Sequence, residues 1–313
     1  MSYRQQFSTR PSTAPRRFVL DFETTGLDPL LDQVLNVGLR GADHWDALVS
    51  DAQPSSPEAL HVHGLDPDLC RCLGQPGREV LGTLLERFGP GPIEVVAHNA
   101  SFEHRFLEAW AGRHSLPLPD IHWRCTLEQA WGLVANAPFS CRLGQLSELF
   151  GWSTEGLHGA GRDASLTEML LETLDAWSSA RETLGEPESV IYLAGPFRGD
   201  GTREAMAHDR ARMTALSRWA QAVFPKATLI VPHLNFAFAD ESGKRGDQVR
   251  EQVLRSCETL VKHCSALIQC GGLVTAGMSR ELAVAKTLQI PVIQVPGWPA
   301  LRIQPDLRVV GVA

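Results

Sequence analysis

Phe18-Val19-Leu20-Asp21-Phe22-Glu23-Thr24-Thr25-Gly26 (FVLDFETTG) is the stretch that decides the fold of the first half of the sequence. Its apolar run predicts a strand that ends in a turn at the glycine. Asp21 and Glu23 are two residues apart, so a strand points both carboxylates to the same side. Two such acids repel each other unless a cation lies between them, and hard divalent cations prefer carboxylate oxygens. The pair alone is equally typical of a metal site and of a solvated strand face.

The first half as a whole predicts a mixed α/β sheet with helices packed on it. Residues 1–17 are rich in Ser, Arg, Pro and Gln and lack an apolar core, so we interpret them as a disordered leader and not as a secretory signal. The predicted strands are 18–22, 33–39, 46–49 and 93–97, and the predicted helices are 79–88, 98–110, 127–134, 143–150 and 164–177.

A second α/β pattern follows a polar segment at 179–189 (SARETLGEPES), which we interpret as a linker. Regular alternation of strand and helix predicts a parallel sheet of the flavodoxin or Rossmann type. We therefore divide the chain into a first domain at 18–178 and a second at 190–313. The predicted strands of the second domain are 190–194, 228–231, 266–269 and 292–295, and its helices are 203–224, 248–263 and 279–288.

Composition excludes several classes of protein. The 313 residues suffice for two domains with their own cores. No apolar run approaches the ~20 residues of a bilayer span, so we expect no membrane association and a cytoplasmic location. Seven cysteines are an odd number, and none forms a CxxC pair, which fits reduced thiols and no zinc site.

Charge is distributed unevenly along the chain. Residues 1–178 carry 13 Arg, no Lys and 23 Asp or Glu, a net charge of −10, whereas the remainder carries 16 basic and 13 acidic residues, a net charge of +3. Long duplex DNA is held through many Lys and Arg contacts to phosphates. The acidic half is therefore expected to bind a strand end, where metal ions supply the positive charge.

Two further segments carry acids in a suggestive order: His98-Asn99-Ala100-Ser101-Phe102-Glu103 and His158-Gly159-Ala160-Gly161-Arg162-Asp163. Together with the first stretch they resemble the three motifs of the DEDDh, or DnaQ-like, 3'→5' exonuclease family. The segment His61-Val62-His63-Gly64-Leu65 is similar to the His-Gly segment that this family has between its first two motifs. The resemblance covers residues 17–177 and implies an RNase H-like sheet.

The resemblance also implies an active site. Asp21, Glu23, Glu103 and Asp163 would hold two Mg²⁺ or Mn²⁺ ions, and His158 would take the proton from the attacking water. The family has Asp where this sequence has Glu103. Because misplacement of a carboxylate by roughly an ångström can cost on the order of a hundredfold in rate, we expect retained but tuned activity. The implied nucleotide contacts are Thr24, Thr25, Gly26, Leu27, His98, Asn99 and Phe102; for Leu27 and Phe102, core packing is an equal alternative.

The second domain, over about residues 189–296, resembles the nucleoside 2-deoxyribosyltransferase-like family. The resemblance rests on 192–200 (YLAGPFRGD), 231–235 (VPHLN) and 277–281 (GMSRE). It implies that Glu281 is the nucleophile that attacks C1' of the sugar, although a mid-domain Asp of that family has no counterpart at 263–265. The implied contacts to a nucleoside monophosphate are Gly195, Pro196, Phe197, Arg198, Gly277, Met278 and Ser279. The alternative is a simple turn at Gly195-Pro196 and an acid that stabilises its own helix.

The leading hypothesis is a nuclease that acts on DNA or RNA 3' ends, preferentially single-stranded, with a second domain that binds or processes a nucleoside monophosphate. One alternative is a nucleotide-sensing regulator that gates the nuclease. Another is an N-glycoside hydrolase or transferase that acts through Glu281. The sequence leaves open the choice between DNA and RNA and whether the chain forms a homo-oligomer.

Overall fold

The computed structural model describes residues 15–42, 44–134, 139–184, 189–196, 202–236, 246–271 and 274–295. The predicted site residues Phe197 and Arg198 lie outside the described residues, as do residues 1–14 of the predicted leader, residues 185–188 of the predicted linker and the chain beyond 295. No described helix is both long and apolar enough to cross a bilayer. The chain forms two compact units, one of residues 1–125 with 158–164 and one of 126–157 with 165–313.

The first unit is built on a five-stranded mixed sheet in the part of the chain that is described. The strand order is β3-β2-β1-β4-β5, with β1 antiparallel to β2 and parallel to β4. The predicted RNase H-like mixed sheet is confirmed. The strands are β1 (Arg16–Thr24), β2 (Val34–Arg40), β3 (Trp45–Leu48), β4 (Ile93–Ala97) and β5 (Ile121–Cys125).

Helices cover one face of this sheet and leave the acids of β1 on the other. Leu20 and Phe22 belong to the apolar core, so the alternation of a strand turns Asp21 and Glu23 to the opposite face. Each fully buried large apolar side chain contributes roughly 1.5–3 kcal/mol. The helices of this unit are α1 (Pro57–His63), α2 (Pro67–Leu73), α3 (Gly77–Phe88) and α4 (Ala100–His114); α3 and α4 supply core residues such as Leu84, Phe88, Phe106 and Trp110.

Three elements of the first unit are absent from the sequence prediction. Strand β5 lies at the sheet edge and pairs with β4. It has only five residues, and they mix apolar and charged side chains, so the sequence gives no clear strand pattern there. Helices α1 and α2 bury no residue and one residue respectively, so they lack the apolar period on which a helix prediction depends. Their capping residues Ser56 and Asp66, each followed by proline, are the signal that could have found them.

The second unit contains a four-stranded, all-parallel sheet among its described residues, in the order β7-β6-β8-β9. This order places the first strand of the unit between its second and third, as in flavodoxin-like folds, and confirms the predicted parallel sheet. The strands are β6 (Val190–Ala194), β7 (Thr228–Ile230), β8 (Ala266–Cys270) and β9 (Val292–Val295). The helices are α5 (Thr126–Leu133), α6 (Leu143–Phe150), α7 (Ala160–Leu184), α8 (Arg203–Val223), α9 (Pro232–Asn235), α10 (Gly246–Val261) and α11 (Ala276–Thr287). The first five residues of α7, 160–164, belong to the first unit.

Packing in the second unit crosses the predicted linker. Trp177 of α7 and Trp219 of α8 belong to the same apolar core as Leu193 of β6. Helix α7 runs to Leu184, so residues 179–184 are helical and not the linker that the sequence predicts. The helix continues there because its neighbouring residues are packed in this core. Similarly, Arg16 and Arg17 of the predicted leader extend β1. The division into domains at 178 and 190 stays a prediction.

Candidate active site

Three acids from two distant segments of the sequence converge in the first unit. Asp21 and Glu23 project from β1, and Asp163 lies in the first turn of α7. One carboxylate oxygen from each acid lies within 4.8 Å of the other two, a grouping that could hold a metal ion. This is the juxtaposition that the sequence predicts for these three residues.

Burial and mutual repulsion make the charged form of these acids unfavourable. Burial is the largest cause that raises the pKa of Asp21 well above its usual value, and the charges of Glu103, Asp163 and Glu23 raise it further. Burial, followed by the charge of Asp163, raises the pKa of Glu23 to about 8. Burial raises the pKa of Asp163 to about 6, although the backbone N–H of His158 acts in the opposite direction. A cation among these oxygens would relieve the repulsion.

Glu103 stands beside this group but not within the three that cluster. It lies in the first turn of α4, which follows β4 after a turn in which Asn99 has a left-handed φ of 86°. The residue is 3% exposed, and its Oε2 atom is buried and accepts no hydrogen bond from the described part of the chain. Burial is the main cause that raises its pKa. A buried carboxylate oxygen with no hydrogen-bond donor among the described residues, next to three other acids, is suited to bind a cation.

His158 lies immediately beside Asp163. Its backbone N–H donates to both carboxylate oxygens of Asp163, at 3.2 and 3.3 Å. Its φ of 66° is uncommon for a residue other than glycine and holds the loop in a tight bend just before α7. The predicted proton acceptor is therefore anchored to a predicted metal ligand through the backbone.

The start of α7 rests on one face of β2. Asn36, Gly38 and Arg40 alternate along the strand and therefore share that face. The Asn36 Oδ1 atom accepts from the Ala160 N–H at 3.0 Å, and the Arg40 Nη2 atom donates to the Gly161 carbonyl. A Cβ at Gly38 would overlap the Ala160 carbonyl oxygen, so the helix approaches as closely as the strand allows.

In the second unit, the predicted nucleophile Glu281 is buried in α11, with 7% of its surface exposed. Its Oε1 atom accepts a hydrogen bond of 2.7 Å from the Tyr192 hydroxyl of β6. Burial raises the pKa of Glu281 to about 7, while hydrogen bonds from Tyr192 and Cys257 lower it and the charge of Glu258 raises it. The structure therefore holds this carboxylate in place through a strand at the centre of the sheet.

The predicted nucleotide contacts of the second unit are distributed between core and surface. Pro196 is buried at the end of β6, and its carbonyl oxygen lies 3.1 Å from His233 Nε2. Burial lowers the pKa of His233 to about 4, which keeps its imidazole neutral near pH 7. Of the other predicted contacts, Gly195 is buried, Met278 is 2% exposed and packs in the apolar core, Gly277 is half-buried and Ser279 is exposed.

Comparisons with known proteins give matches that each cover part of the chain. Residues 189–295 match a family described as "Domain of unknown function (DUF7768)". A DNA polymerase III of the PolC type from Thermotoga maritima is 33% identical over 101 residues, which is 29% of this chain and 7% of the polymerase. The PolC-type polymerase III of Lactococcus lactis is 30% identical over 159 residues, 49% of this chain and 10% of that protein. This chain thus matches only a small part of either polymerase.

Among solved structures, a zinc-bound complex of Escherichia coli exonuclease I with single-stranded DNA is similar to this chain at 18% identity. The likeness covers 54% of this chain and 42% of that chain, with a TM-score of 0.47.

His63 of α1, which the sequence analysis did not select, lies near the predicted site. Its Nδ1 atom accepts from the Leu65 N–H at 2.9 Å. Burial is the main cause that lowers the pKa of His63, the backbone of Thr24 raises it, and the charge of His158 lowers it. The ring thus lies near both the end of β1 and the loop of His158. The His-Gly segment was the signal that could have found it.

The predicted nucleotide contacts of the first unit differ in what they offer a ligand. Thr24 and Thr25 are buried, and their hydroxyls form hydrogen bonds within the loop. The Thr24 hydroxyl donates to the Gly26 carbonyl at 2.5 Å, and the Thr25 hydroxyl accepts from the Gln33 N–H at 3.0 Å. Leu27 is 80% exposed, so core packing does not explain it. Phe102 is half-buried and packs on Phe106, His98 is half-buried and Asn99 is exposed.

Proposed function

We propose that the first unit is a metal-dependent 3'→5' exonuclease that releases nucleoside monophosphates from strand ends. The observation that carries the proposal is the cluster of Asp21, Glu23 and Asp163, in which one carboxylate oxygen from each acid lies within 4.8 Å of the other two. Such a buried group of like charges is unfavourable without a cation, and phosphodiester hydrolysis is the reaction for which clustered carboxylates and divalent ions are commonly used. The matches to segments of two DNA polymerases support a nucleic-acid substrate.

The residues that would hold the ions are Asp21, Glu23 and Asp163, with Glu103 as the fourth. The buried Oε2 atom of Glu103 supports its inclusion, since a partner for that oxygen is otherwise missing among the described residues. When bound, Mg²⁺ or Mn²⁺ lowers the pKa of water and neutralises charge on the phosphate. The acids themselves orient these ions and exclude other anions from the site.

His158 is the residue proposed to take the proton from water. The hydrogen bonds from its backbone to Asp163 fix its position relative to the carboxylates. An imidazole is suited to this role because its ordinary pKa lies near neutral pH. Around the site, the first unit is acidic, which favours a strand end over a long duplex.

The test is release of mononucleotides from oligonucleotides labelled at either end, with Mg²⁺ or Mn²⁺. We expect stepwise shortening from the 3' end, and at least a hundredfold loss of rate in Asp21→Asn and His158→Ala. Asp68→Asn is the matched control, because the side chain of this acid is 79% exposed on α2. Absence of release by the wild-type chain, or undiminished release by Asp21→Asn, would sink the proposal.

A second candidate activity is favoured by the buried pair of Tyr192 and Glu281. A buried carboxylate that accepts a hydrogen bond of 2.7 Å from a hydroxyl is suited to attack C1' of a nucleotide sugar and displace its base. This is the activity implied by the resemblance to nucleoside 2-deoxyribosyltransferases. The family described as a domain of unknown function, which matches the same residues, names no activity.

Free base released from deoxynucleoside monophosphates, measured by chromatography, tests this second activity. We expect release by the wild-type chain and by Asp21→Asn, but not by Glu281→Gln. No base from the wild-type chain would overturn it. A nucleotide that changes the rate of the exonuclease without being consumed would instead favour a sensing role for this unit.

A further inference from the structure

An exposed apolar rim follows β1 on the first unit. Leu27, Leu30 and Leu31 are 80%, 82% and 73% exposed, and we refer to these three residues as the leucine rim. A single exposed leucine is ordinary, but three within five residues form a patch of the kind that marks a binding surface.

Hydrogen bonds hold the loop that carries the rim. The Asp28 side chain accepts from the Leu30 N–H at 3.0 Å, and the Asp28 N–H donates to the Asp32 carboxylate at 2.8 Å. The Arg113 Nη1 atom donates to the Pro29 carbonyl at 2.8 Å. The leucines are therefore presented outward by a built loop, so a ligand that packs on them meets a surface that is already ordered.

The loop is also tied to the segment that precedes α1. The Gln53 side chain donates to the Leu31 carbonyl at 2.9 Å, and the Ser56 N–H donates to the Thr25 carbonyl at 2.7 Å. Leu60 and Val62 of α1 add further exposed apolar surface, at 38% and 52%. The rim begins at Leu27, three residues beyond the end of β1, the strand that carries Asp21 and Glu23.

We propose that Leu30 and Leu31 bind the faces of unpaired bases upstream of the terminal nucleotide, and that they thereby select single-stranded 3' ends. This inference rests on the exonuclease function proposed above. Base faces are apolar and are open to contact only where the strand is unpaired, because stacking in a duplex covers them. The first 178 residues have a net charge of −10, so grip on the phosphates is weak and apolar contact carries the binding of the upstream strand.

The variant Leu30→Ser/Leu31→Ser tests the proposal, and both positions are exposed enough that the fold should tolerate it. Leu73→Ser is the matched control, since Leu73 is 68% exposed on α2. The substrates are an unpaired oligothymidylate, a blunt duplex and thymidine 5'-(p-nitrophenyl phosphate). The last has a single nucleotide and cannot reach an upstream surface.

For the double variant we expect KM for the unpaired oligonucleotide to rise about tenfold, with kcat unchanged, and the preference for unpaired over duplex ends to narrow. Hydrolysis of the p-nitrophenyl ester should stay at the wild-type rate, as should every rate of Leu73→Ser. A KM for the unpaired oligonucleotide within twofold of the wild-type value would overturn the proposal. If that variant still hydrolyses the ester, the exonuclease function stands, and the rim would then be tested as a binding surface for a protein.

Failure of the exonuclease proposal itself is separable. If the wild-type chain hydrolyses neither the oligonucleotide nor the ester, binding of a fluorescent oligothymidylate in Ca²⁺ replaces kinetics as the measurement. A Kd about tenfold weaker in the double variant supports the rim as a base-binding surface, and an equal Kd overturns it.

Discussion

The side-chain oxygen of Asn36 accepts a hydrogen bond from the backbone N–H of Ala160 at 3.0 Å, and its amide group donates to the Ala47 carbonyl at 2.9 Å. The backbone of Asn36 also pairs with Glu23 across the β1–β2 ladder, so this one residue connects three strands to the helix that carries Asp163. The relative position of two predicted metal ligands, Glu23 and Asp163, therefore depends on a residue that binds no metal.

We expect Asn36→Ala to lower the free energy of unfolding by about 1–3 kcal/mol, since it leaves the buried Ala160 N–H without an acceptor. The shifted helix should reduce kcat for nucleotide release by about tenfold or more, because small misplacement of a catalytic group is costly. Asn36→Asp keeps the accepting oxygen and should retain more stability than Asn36→Ala. Urea unfolding and oligonucleotide kinetics are the measurements, and a wild-type kcat in Asn36→Ala would contradict this role.

Gly38→Ala should damage the same contact from the other side. The added methyl group would overlap the Ala160 carbonyl oxygen, so either the helix or the strand must move, at a cost of about 1–3 kcal/mol. Gly82→Ala is the control, because a Cβ at this position of α3 meets no atom within 4 Å and alanine favours a helix. The expected order of melting temperatures is Gly38→Ala below wild type and Gly82→Ala at or above it. Equal loss in both would contradict the close approach.

Asp21→Asn should stabilise the metal-free fold while it removes activity. The change takes one negative charge from a group of repelling acids, so a gain of about 1 kcal/mol is expected, or about 2–4 °C in melting temperature for a unit of this size. Mg²⁺ should raise the melting temperature of wild type more than that of the variant. Thermal melts in EDTA and in MgCl₂ measure both effects, with Asp68→Asn again as the exposed control. A variant that melts lower than wild type in EDTA would count against the repulsion.

Glu281 should make stability depend on pH. Its pKa is raised to about 7 in the folded chain, so the stability it contributes as a neutral acid is present at low pH and is lost as the pH rises through about 7. The groups that face it are Tyr192, Cys257 and Glu258. From pH 5 to pH 8 the wild-type chain should therefore lose stability that Glu281→Gln keeps. The difference in free energy of unfolding between the variant and wild type should grow in favour of the variant, as measured by urea unfolding at both pH values.

Tyr192→Phe provides the companion test of the same pair. The Tyr192 hydroxyl donates to the carboxylate and lowers the pKa of Glu281. Its removal should therefore raise that pKa and move the pH-dependent loss of stability to a higher pH. An unchanged midpoint in this variant would show that the hydrogen bond does not govern the ionisation of Glu281.

The sequence predicted both sheets because their strands are apolar and β-branched runs with turn residues at their ends, as in β4 and β6, whose predicted bounds match the structure. It also predicted the approach of Asp21, Glu23 and Asp163. It could not predict that Glu103 lies outside that three-residue group. The sequence shows that a glutamate is longer than an aspartate by one methylene, but not where the longer side chain places its carboxylate. Nor could it find Asn36, whose role arises from a contact with a residue 124 positions away.

Gly38 has a consequence for tracing distant relatives of this chain. Since the Ala160 carbonyl occupies the space where any side chain would begin, the tight fit of strand to helix demands glycine at this position whatever the surrounding sequence. Among diverged sequences that keep the acids, we expect those that have lost this glycine to have a displaced Asp163 and to lack the proposed nuclease activity. Gly38 thus marks whether the first turn of α7, and with it Asp163, can reach the position seen in this structure.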